Sequence, residues 1–141
     1  MSAKNDNRVI ESYLFFNGSC EQAVEFYRKA IGAEVTALMR AKDSPDPAMS
    51  MPGAPDKILH ATFKIGDTTV MASDGRNQGR PQFQGFALSL TVPNEAEAKR
   101  VFTALSEGGQ EHMPLTKTFF SPSFGMLADR FGVPWMVYVA K

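Results

Sequence analysis

The chain is poor in the residues on which several classes of function depend. It has a single cysteine, Cys20, in 141 residues, which excludes an internal disulfide and is typical of a reducing cytoplasm. Lys plus Arg and Asp plus Glu each number 15, so the chain lacks the basic excess of a nucleic-acid-binding surface. No apolar run is long enough to span a bilayer. We therefore expect a cytoplasmic protein without nucleic-acid or membrane partners.

What the chain does have is one order of segments that occurs twice. Each half begins with an apolar run, continues with a helical pattern and ends with three candidate strands. The segments are 10–16, 19–31, 34–40, 58–65 and 68–72 in the first half, and 85–92, 94–105, 112–119, 124–129 and 135–140 in the second. This order predicts a duplicated βαβββ unit. Two such units can pair their sheets around a shared cleft, where we expect the function.

These segments divide the chain into two modules of one fused α+β domain. Residues 1–8 are polar and lack the apolar core of a signal peptide, so we expect a short frayed tail. The first βαβββ module takes residues 9–74 and the second takes residues 85–141. Residues 75–84 between them are polar and contain glycine and proline, which predicts a linker.

Both predicted helices begin with a capping pattern. Ser19 is followed three residues later by Gln22, and Asn94 is followed three residues later by Glu97. In a capping box the first side chain accepts a hydrogen bond from the backbone N–H three residues on. Gly32 follows the first helical pattern at the place where a left-handed residue ends many helices.

Residues 43–56 contain four prolines. Proline interrupts both helices and central strands, so this stretch is predicted to be a long loop. Long loops in compact domains are often binding loops or lids. A plain surface excursion explains the composition equally well, and both interpretations stay open.

Four segments carry a resemblance to a known family. They are residues 13–18, 23–27, 59–67 and 129–135. They resemble the vicinal oxygen chelate superfamily of glyoxalase I, bleomycin-resistance proteins and extradiol dioxygenases, and within it the PhnB-like (3-demethylubiquinone methyltransferase-like) branch. The resemblance implies paired βαβββ modules, a curved mixed sheet around a cleft, and a homodimer that often exchanges modules.

The superfamily's chemistry normally uses a divalent metal held by His and Glu on the first and last strands of each module. The resemblance places these positions near Ser12, Ala72, Ala87 and Met136. Such ions need carboxylate or imidazole ligands, and a shift of one residue would add only Glu11 or Ser73. We therefore expect no metal cofactor.

His60 is one of only two histidines and the branch pattern carries a histidine there. It is a candidate general base or hydrogen-bond donor in the cleft, and a structural histidine is the alternative. The predicted walls of an apolar ligand-binding cleft are Phe16, Phe86, Phe119, Phe120, Phe124, Met126 and Trp135. For Trp135, packing in the core is the alternative.

Two main functions follow. The first is the binding of a small apolar or aromatic molecule in a metal-free cleft of a homodimer. The second is an enzyme: a lyase or dioxygenase with a metal held by other ligands, or an acid–base catalyst that uses His60. A subunit whose exposed apolar surface serves only as a dimer interface is a third possibility. Methyl transfer has little support because the chain lacks a Gly-rich strand-to-helix loop for a nucleotide-like cofactor.

Overall fold

The computed structural model describes residues 7–46, 51, 53–75 and 79–141. The first half contains four strands and one α-helix among these residues. They are β1 (Tyr13–Phe15), α1 (Cys20–Ile31), β2 (Glu34–Arg40), β3 (Ile58–Ile65) and β4 (Thr68–Ser73), and a 3-10 helix (Ala41–Asp43) follows β2. The strands form sheet 1 in the order β1-β4-β3-β2. Only β1 and β4 are parallel, so the sheet is mixed.

The second half repeats this topology. Its elements are β5 (Leu88–Val92), α2 (Glu95–Ser106), β6 (Gln110–Thr116), β7 (Phe124–Ala128) and β8 (Pro134–Val139). They form sheet 2 in the order β5-β8-β7-β6, with β5 parallel to β8. The predicted α+β class and the twofold βαβββ order are confirmed. No helix of the described ranges is long and apolar enough to cross a membrane.

Several strand ends differ from the prediction. The first strand starts at Tyr13 rather than at residue 10, because Ile10 is fully exposed and lies outside the sheet. Strand β6 lies at 110–116 rather than at 112–119. It ends early because the chain turns at Thr118, whose backbone N–H donates to the carbonyl oxygen of Ser121 at 2.9 Å.

The two helices begin in different ways. The Asn94 side chain caps α2, since it accepts a hydrogen bond from the Glu97 N–H at 2.8 Å. The predicted cap at Ser19 is wrong, because that side chain makes no capping bond. The buried carboxylate of Asp74, just after β4, instead accepts hydrogen bonds from the N–H groups of Gly18 at 2.7 Å and Cys20 at 3.1 Å.

The core lies between the two sheets and contains both helices. Side chains alternate between the two faces of a strand, and one face of each sheet is buried. Tyr27 of α1 joins the two halves, since its ring is 5.7 Å from that of Phe63 in sheet 1 and 5.5 Å from that of Trp135 in sheet 2. The sheets therefore share a core on their helix sides. Among the described residues the shared core fills the space on the helix sides of the two sheets, and a cleft on their other sides stays a prediction.

The predicted long loop at residues 43–56 falls partly outside the described residues, which exclude 47–50 and 52. Its two ends are held together by the backbone. The Ala41 N–H donates to the Lys57 carbonyl oxygen at 2.9 Å, and the Lys42 N–H donates to the Pro55 carbonyl oxygen at 3.0 Å. A role of this loop as a lid stays a prediction.

Candidate functional site

The candidate site lies on the face of sheet 1 that points away from the helices. Residues that oppose each other across neighbouring strands share a face, and Met71 opposes both Tyr13 and Thr62. We call this surface the sheet 1 open face. Its members include Tyr13, Phe15, Met39, His60, Thr62 and Met71. They belong to β1, β2, β3 and β4, so only the folded sheet brings them together.

Three polar side chains form a continuous row on this face. The Tyr13 hydroxyl lies 3.0 Å from Nδ1 of His60, and Nε2 of His60 lies 3.0 Å from the Thr62 hydroxyl. Both imidazole nitrogens are therefore occupied. A neutral imidazole has one donor and one acceptor nitrogen, and each hydroxyl can donate or accept. Such a row can place a hydrogen bond on a ligand and can move protons between its members.

An aromatic surface adjoins the polar row. The Tyr13 ring stacks on Phe15 with centroids 4.8 Å apart and lies 5.9 Å from the His60 ring. Tyr13 is 38% exposed, and His60 and Thr62 are half-buried. Burial raises the pKa of Tyr13, with a smaller contribution from Cys20. The phenol is therefore protonated at neutral pH, and it offers a hydrogen-bond donor beside the apolar ring of Phe15.

The sheet 2 open face is the corresponding surface of the second module. Its members include Ser89, Thr91, Met113, Phe124, Met126, Met136 and Tyr138. The Phe120 ring lies 5.1 Å from Phe124 and 6.3 Å from Tyr138, and Phe119 lies 5.1 Å from Phe120. The structure thus brings together four of the predicted cleft residues, namely Phe119, Phe120, Phe124 and Met126.

The segment that carries Phe119 is held in place by hydrogen bonds. The Ser121 hydroxyl lies 2.6 Å from the Val139 carbonyl oxygen and 2.8 Å from that of Ser123. The Lys141 ammonium donates to the Phe119 carbonyl oxygen at 3.1 Å. Despite this support the Phe119 side chain is 88% exposed. An anchored segment therefore presents a phenyl ring that the chain itself does not cover.

The remaining predicted cleft residues lie elsewhere. Phe16 is completely buried, and its ring lies 5.3 Å from Phe83 and 6.2 Å from Phe131. Trp135 is 2% exposed and belongs to the core beside Tyr27. Neither side chain reaches an open face, so we leave both out of the candidate site. Phe86 is 45% exposed and precedes β5.

Asp129 is a buried residue whose role the sequence analysis missed. One carboxylate oxygen accepts from the Tyr27 hydroxyl at 2.6 Å and from the Trp135 indole N–H at 2.9 Å. The other accepts from the N–H groups of Phe131 at 2.9 Å and Val133 at 3.1 Å. Burial raises the pKa of Asp129, and the four hydrogen bonds oppose that rise. Asp129 therefore ties helix α1 to sheet 2.

Arg130 does not make an ion pair with Asp129. Its guanidinium donates to the Glu107 carboxylate at 3.1 Å and lies 4.4 Å above the centre of the Phe26 ring. The local sequence could not show that Asp129 lies in the core while the neighbouring Arg130 stays at the surface.

The positions expected to hold a metal do not fit one. Met136 lies on the sheet 2 open face, and the corresponding face of β1 carries Tyr13 and Phe15. Ser12 and Ala87 precede their strands, and Ala72 points into the core. None of these side chains supplies an imidazole or a carboxylate. In the ranges 7–46, 51, 53–75 and 79–141, no three His, Cys, Asp or Glu side chains are grouped as metal ligands would be.

A separate cavity of about 1050 Å³ lies along helix α1. It follows the solvent-facing side of α1 and is bordered by Val35, Leu38, Phe26 and Phe131. Its rim carries charged side chains, including the ion pair of Arg28 with Glu25. It contains none of the residues of either open face.

Comparison with known proteins identifies the family. The sequence model of the 3-demethylubiquinone-9 3-methyltransferase family matches residues 8–138. Protein YjdN of Escherichia coli K12 is 34% identical over 140 residues, which cover 94% of this chain and 95% of YjdN. The chain belongs to this family.

Two solved structures share the fold over almost their whole length. Protein PA1353 from Pseudomonas aeruginosa is 42% identical with a TM-score of 0.84, over 95% of this chain and 98% of that one. The PhnB protein from Bacillus cereus is 30% identical with a TM-score of 0.78, over 94% and 100%. The resemblance predicted from the sequence is confirmed.

A more distant structure confirms the fold alone. A glyoxylase/bleomycin resistance protein/dioxygenase domain from Frankia sp. EAN1pec is 12% identical with a TM-score of 0.67, over 96% of this chain and 98% of that domain. The predicted glyoxalase/bleomycin-resistance fold is therefore correct.

Proposed function

We propose that this PhnB-like protein binds a small apolar or aromatic molecule on the sheet 1 open face. The observation that carries the proposal is the Tyr13–His60–Thr62 row, which lies at the edge of the stacked Tyr13 and Phe15 rings. Small-molecule sites combine an apolar surface with a few placed polar groups. The single cysteine supports a cytoplasmic location.

We further propose that a second copy of the chain completes the cleft. The helix-side faces are used within one chain. Apolar side chains stay exposed on sheet 1, on strand β6 of sheet 2 and at residues 119–120, including Met39 at 40%, Met113 at 37%, Phe119 at 88% and Phe120 at 38%. Burying one such side chain fully stabilises a complex by about 1.5–3 kcal/mol. A homodimer in which sheet 1 of one protomer faces sheet 2 of the other would cover both faces.

The dimer is tested by light scattering coupled to size-exclusion chromatography. We expect a dimer. Phe119→Ser should raise its dissociation constant by about tenfold or more, because a phenyl ring is no longer buried. Val35→Ser is the matched control, since Val35 is 37% exposed but borders the cavity beside α1. A monomer at all concentrations, or equal effects of the two substitutions, would contradict a homodimer that buries the open faces.

Binding is tested with methionine methyl groups as NMR probes. The protein is labelled at the ¹³C methyl carbons, the signals are assigned by Met→Leu substitution, and acetophenone is titrated as an aromatic probe. We expect the signals of Met39 and Met71 on sheet 1, and of Met126 and Met136 on sheet 2, to move together. Acetone, which has no ring, is the control. The proposal fails if these four signals respond no more to acetophenone than to acetone.

An acid–base enzyme is the second candidate, because a histidine joined to two hydroxyl groups can accept and return a proton. The exchange of the acetophenone methyl hydrogens for deuterium in D₂O measures this activity without a known substrate. If the protein is such an enzyme, it should accelerate this exchange, and His60→Gln should abolish the acceleration. Exchange at the rate of buffer alone would leave ligand binding as the function.

We do not extend the proposal to methyl transfer, although the family's description names it. A nucleotide-like cofactor is commonly bound at the N-terminus of a helix that follows a strand. At the first such position the N–H groups of Gly18 and Cys20 are already bound by Asp74. A carboxylate of the chain itself therefore occupies the place of a cofactor anion.

A further inference from the structure

We infer that Tyr13, and not His60, is the residue that contacts the ligand, and that the row favours ligands with a carbonyl-type oxygen acceptor beside an aromatic ring. His60 is then a positioning residue, which acts through Tyr13. This inference rests on the proposed binding of a small molecule at the sheet 1 open face and names the ligand class for it.

The imidazole of His60 has no nitrogen free for a ligand. Both nitrogens of His60 have a hydroxyl at 3.0 Å, from Tyr13 on one side and Thr62 on the other. A ligand that bonded directly to either nitrogen would first have to break one of these contacts. The Tyr13 hydroxyl has no such restriction, because it uses one contact to His60 and belongs to a side chain that is 38% exposed.

The direction of the hydrogen bonds in the row depends on which imidazole nitrogen carries the proton. If Nδ1 carries the imidazole proton, it donates to Tyr13, the Tyr13 O–H points to the ligand, and the Thr62 O–H donates to Nε2. If Nε2 carries the proton, every direction is reversed, and Tyr13 uses its O–H on His60. A phenol that donates to a ligand therefore requires the Nδ1–H form of His60.

A ligand with an oxygen acceptor selects that form. In the Nδ1–H form every hydrogen of the row has an acceptor once a carbonyl oxygen lies at Tyr13. In the Nε2–H form the Thr62 O–H is left without an acceptor inside the row. The raised pKa of Tyr13 keeps its proton available for donation at neutral pH. The adjacent ring of Phe15, stacked at 4.8 Å, supplies the surface for an aromatic body.

The experiment compares two probes of nearly the same shape. Acetophenone carries a C=O group where α-methylstyrene carries C=CH₂. We expect acetophenone to bind the unaltered protein more tightly, by about three- to tenfold, the value of one neutral hydrogen bond. Tyr13→Phe should remove this preference and leave the binding of α-methylstyrene unchanged. Thr62→Val should weaken the binding of acetophenone but not that of α-methylstyrene. Thr103→Val, on the exposed side of α2, is the matched control.

The imidazole itself supplies an independent measurement. Nitrogen-15 NMR distinguishes Nδ1–H from Nε2–H, and His112→Gln separates the signals of the two histidines. Saturation with acetophenone should shift His60 toward the Nδ1–H form, and α-methylstyrene should not. This readout would be unaffected if the row were merely structural.

The outcomes separate the two levels of the proposal. If both probes bind equally to the unaltered protein and to Tyr13→Phe, the site binds aromatic molecules but this inference is wrong. If His60→Gln abolishes the preference for acetophenone and Tyr13→Phe preserves it, His60 contacts the ligand directly, which also overturns the inference. If neither probe binds, the proposed function fails and the inference fails with it.

Discussion

Removing the Tyr27 hydroxyl should destabilise the fold, because this group connects the two modules. It donates to the buried Asp129 carboxylate at 2.6 Å, across 102 positions of sequence. A hydrogen bond to a charged group contributes about 1.5–3 kcal/mol. Asp129 keeps its donors from Trp135, Phe131 and Val133 in Tyr27→Phe. The loss should therefore stay within that range and not reach the larger cost of an unpaired buried charge.

For a domain of 141 residues this loss corresponds to a decrease of about 5–10 °C in the midpoint of thermal unfolding. Urea denaturation at one fixed protein concentration measures the free energy directly, and a constant m-value would show that the unfolded state is unaffected. Tyr138→Phe is the control, since within the described residues that hydroxyl makes no hydrogen bond. If Tyr27→Phe and Tyr138→Phe have the same stability, the contact between the modules contributes nothing and our account of the core is wrong.

The remaining predictions concern the same core and the helix ends. The pKa of Asp129 is raised from its ordinary value of 3.8, so the folded state binds this proton more tightly and stability should fall as the pH rises from that value through the folded-state pKa. Asp129→Asn should abolish that part of the pH dependence. Urea denaturation from pH 3 to pH 7 measures it, and the same change of unfolding free energy with pH in the variant and the unaltered protein would refute the prediction. Asn94→Ala should cost about 1 kcal/mol, whereas Ser19→Ala should cost almost nothing because its hydroxyl caps nothing; thermal unfolding of the two variants decides, and equal losses would contradict us. Gly109→Ala should lower the free energy of unfolding by about 1–3 kcal/mol, since the new carbon would lie 2.2 Å from the Ala128 carbonyl oxygen. An unchanged urea midpoint would mean that β6 and β7 move apart without cost and would contradict this prediction.

Local patterns predicted the elements well because they depend on nearby residues. The apolar spacing from Ala23 to Ile31 and the glycine after it determine where α1 runs and ends, and the structure has both. The Asn94 cap was also predictable, since its donor is the N–H of Glu97 only three residues away. The Ser19 cap failed for the opposite reason. The carboxylate that replaces it, Asp74, is 54 residues from Cys20.

The candidate site shows the same division. His60 stood out because the chain has few histidines and the family pattern carries one there. Its partner Tyr13 is 47 residues away and was not predicted to take part. Thr62 is only two residues from His60, and the period of two along a strand was the signal that would have found it. Phe16 and Trp135 were placed on a cleft wall because an aromatic side chain suits either a core or a ligand.

The sequence by itself thus determined the two βαβββ units, the family and the absence of suitable metal ligands at the family's positions. These follow from periodicity, from turn residues and from the identity of single side chains. The tertiary structure alone decided which face of each sheet is buried, which aromatic rings stay exposed and which hydroxyl groups meet His60. Those outcomes depend on how the strands pair and on how the modules pack, and the contacts concerned join residues that are far apart along the chain.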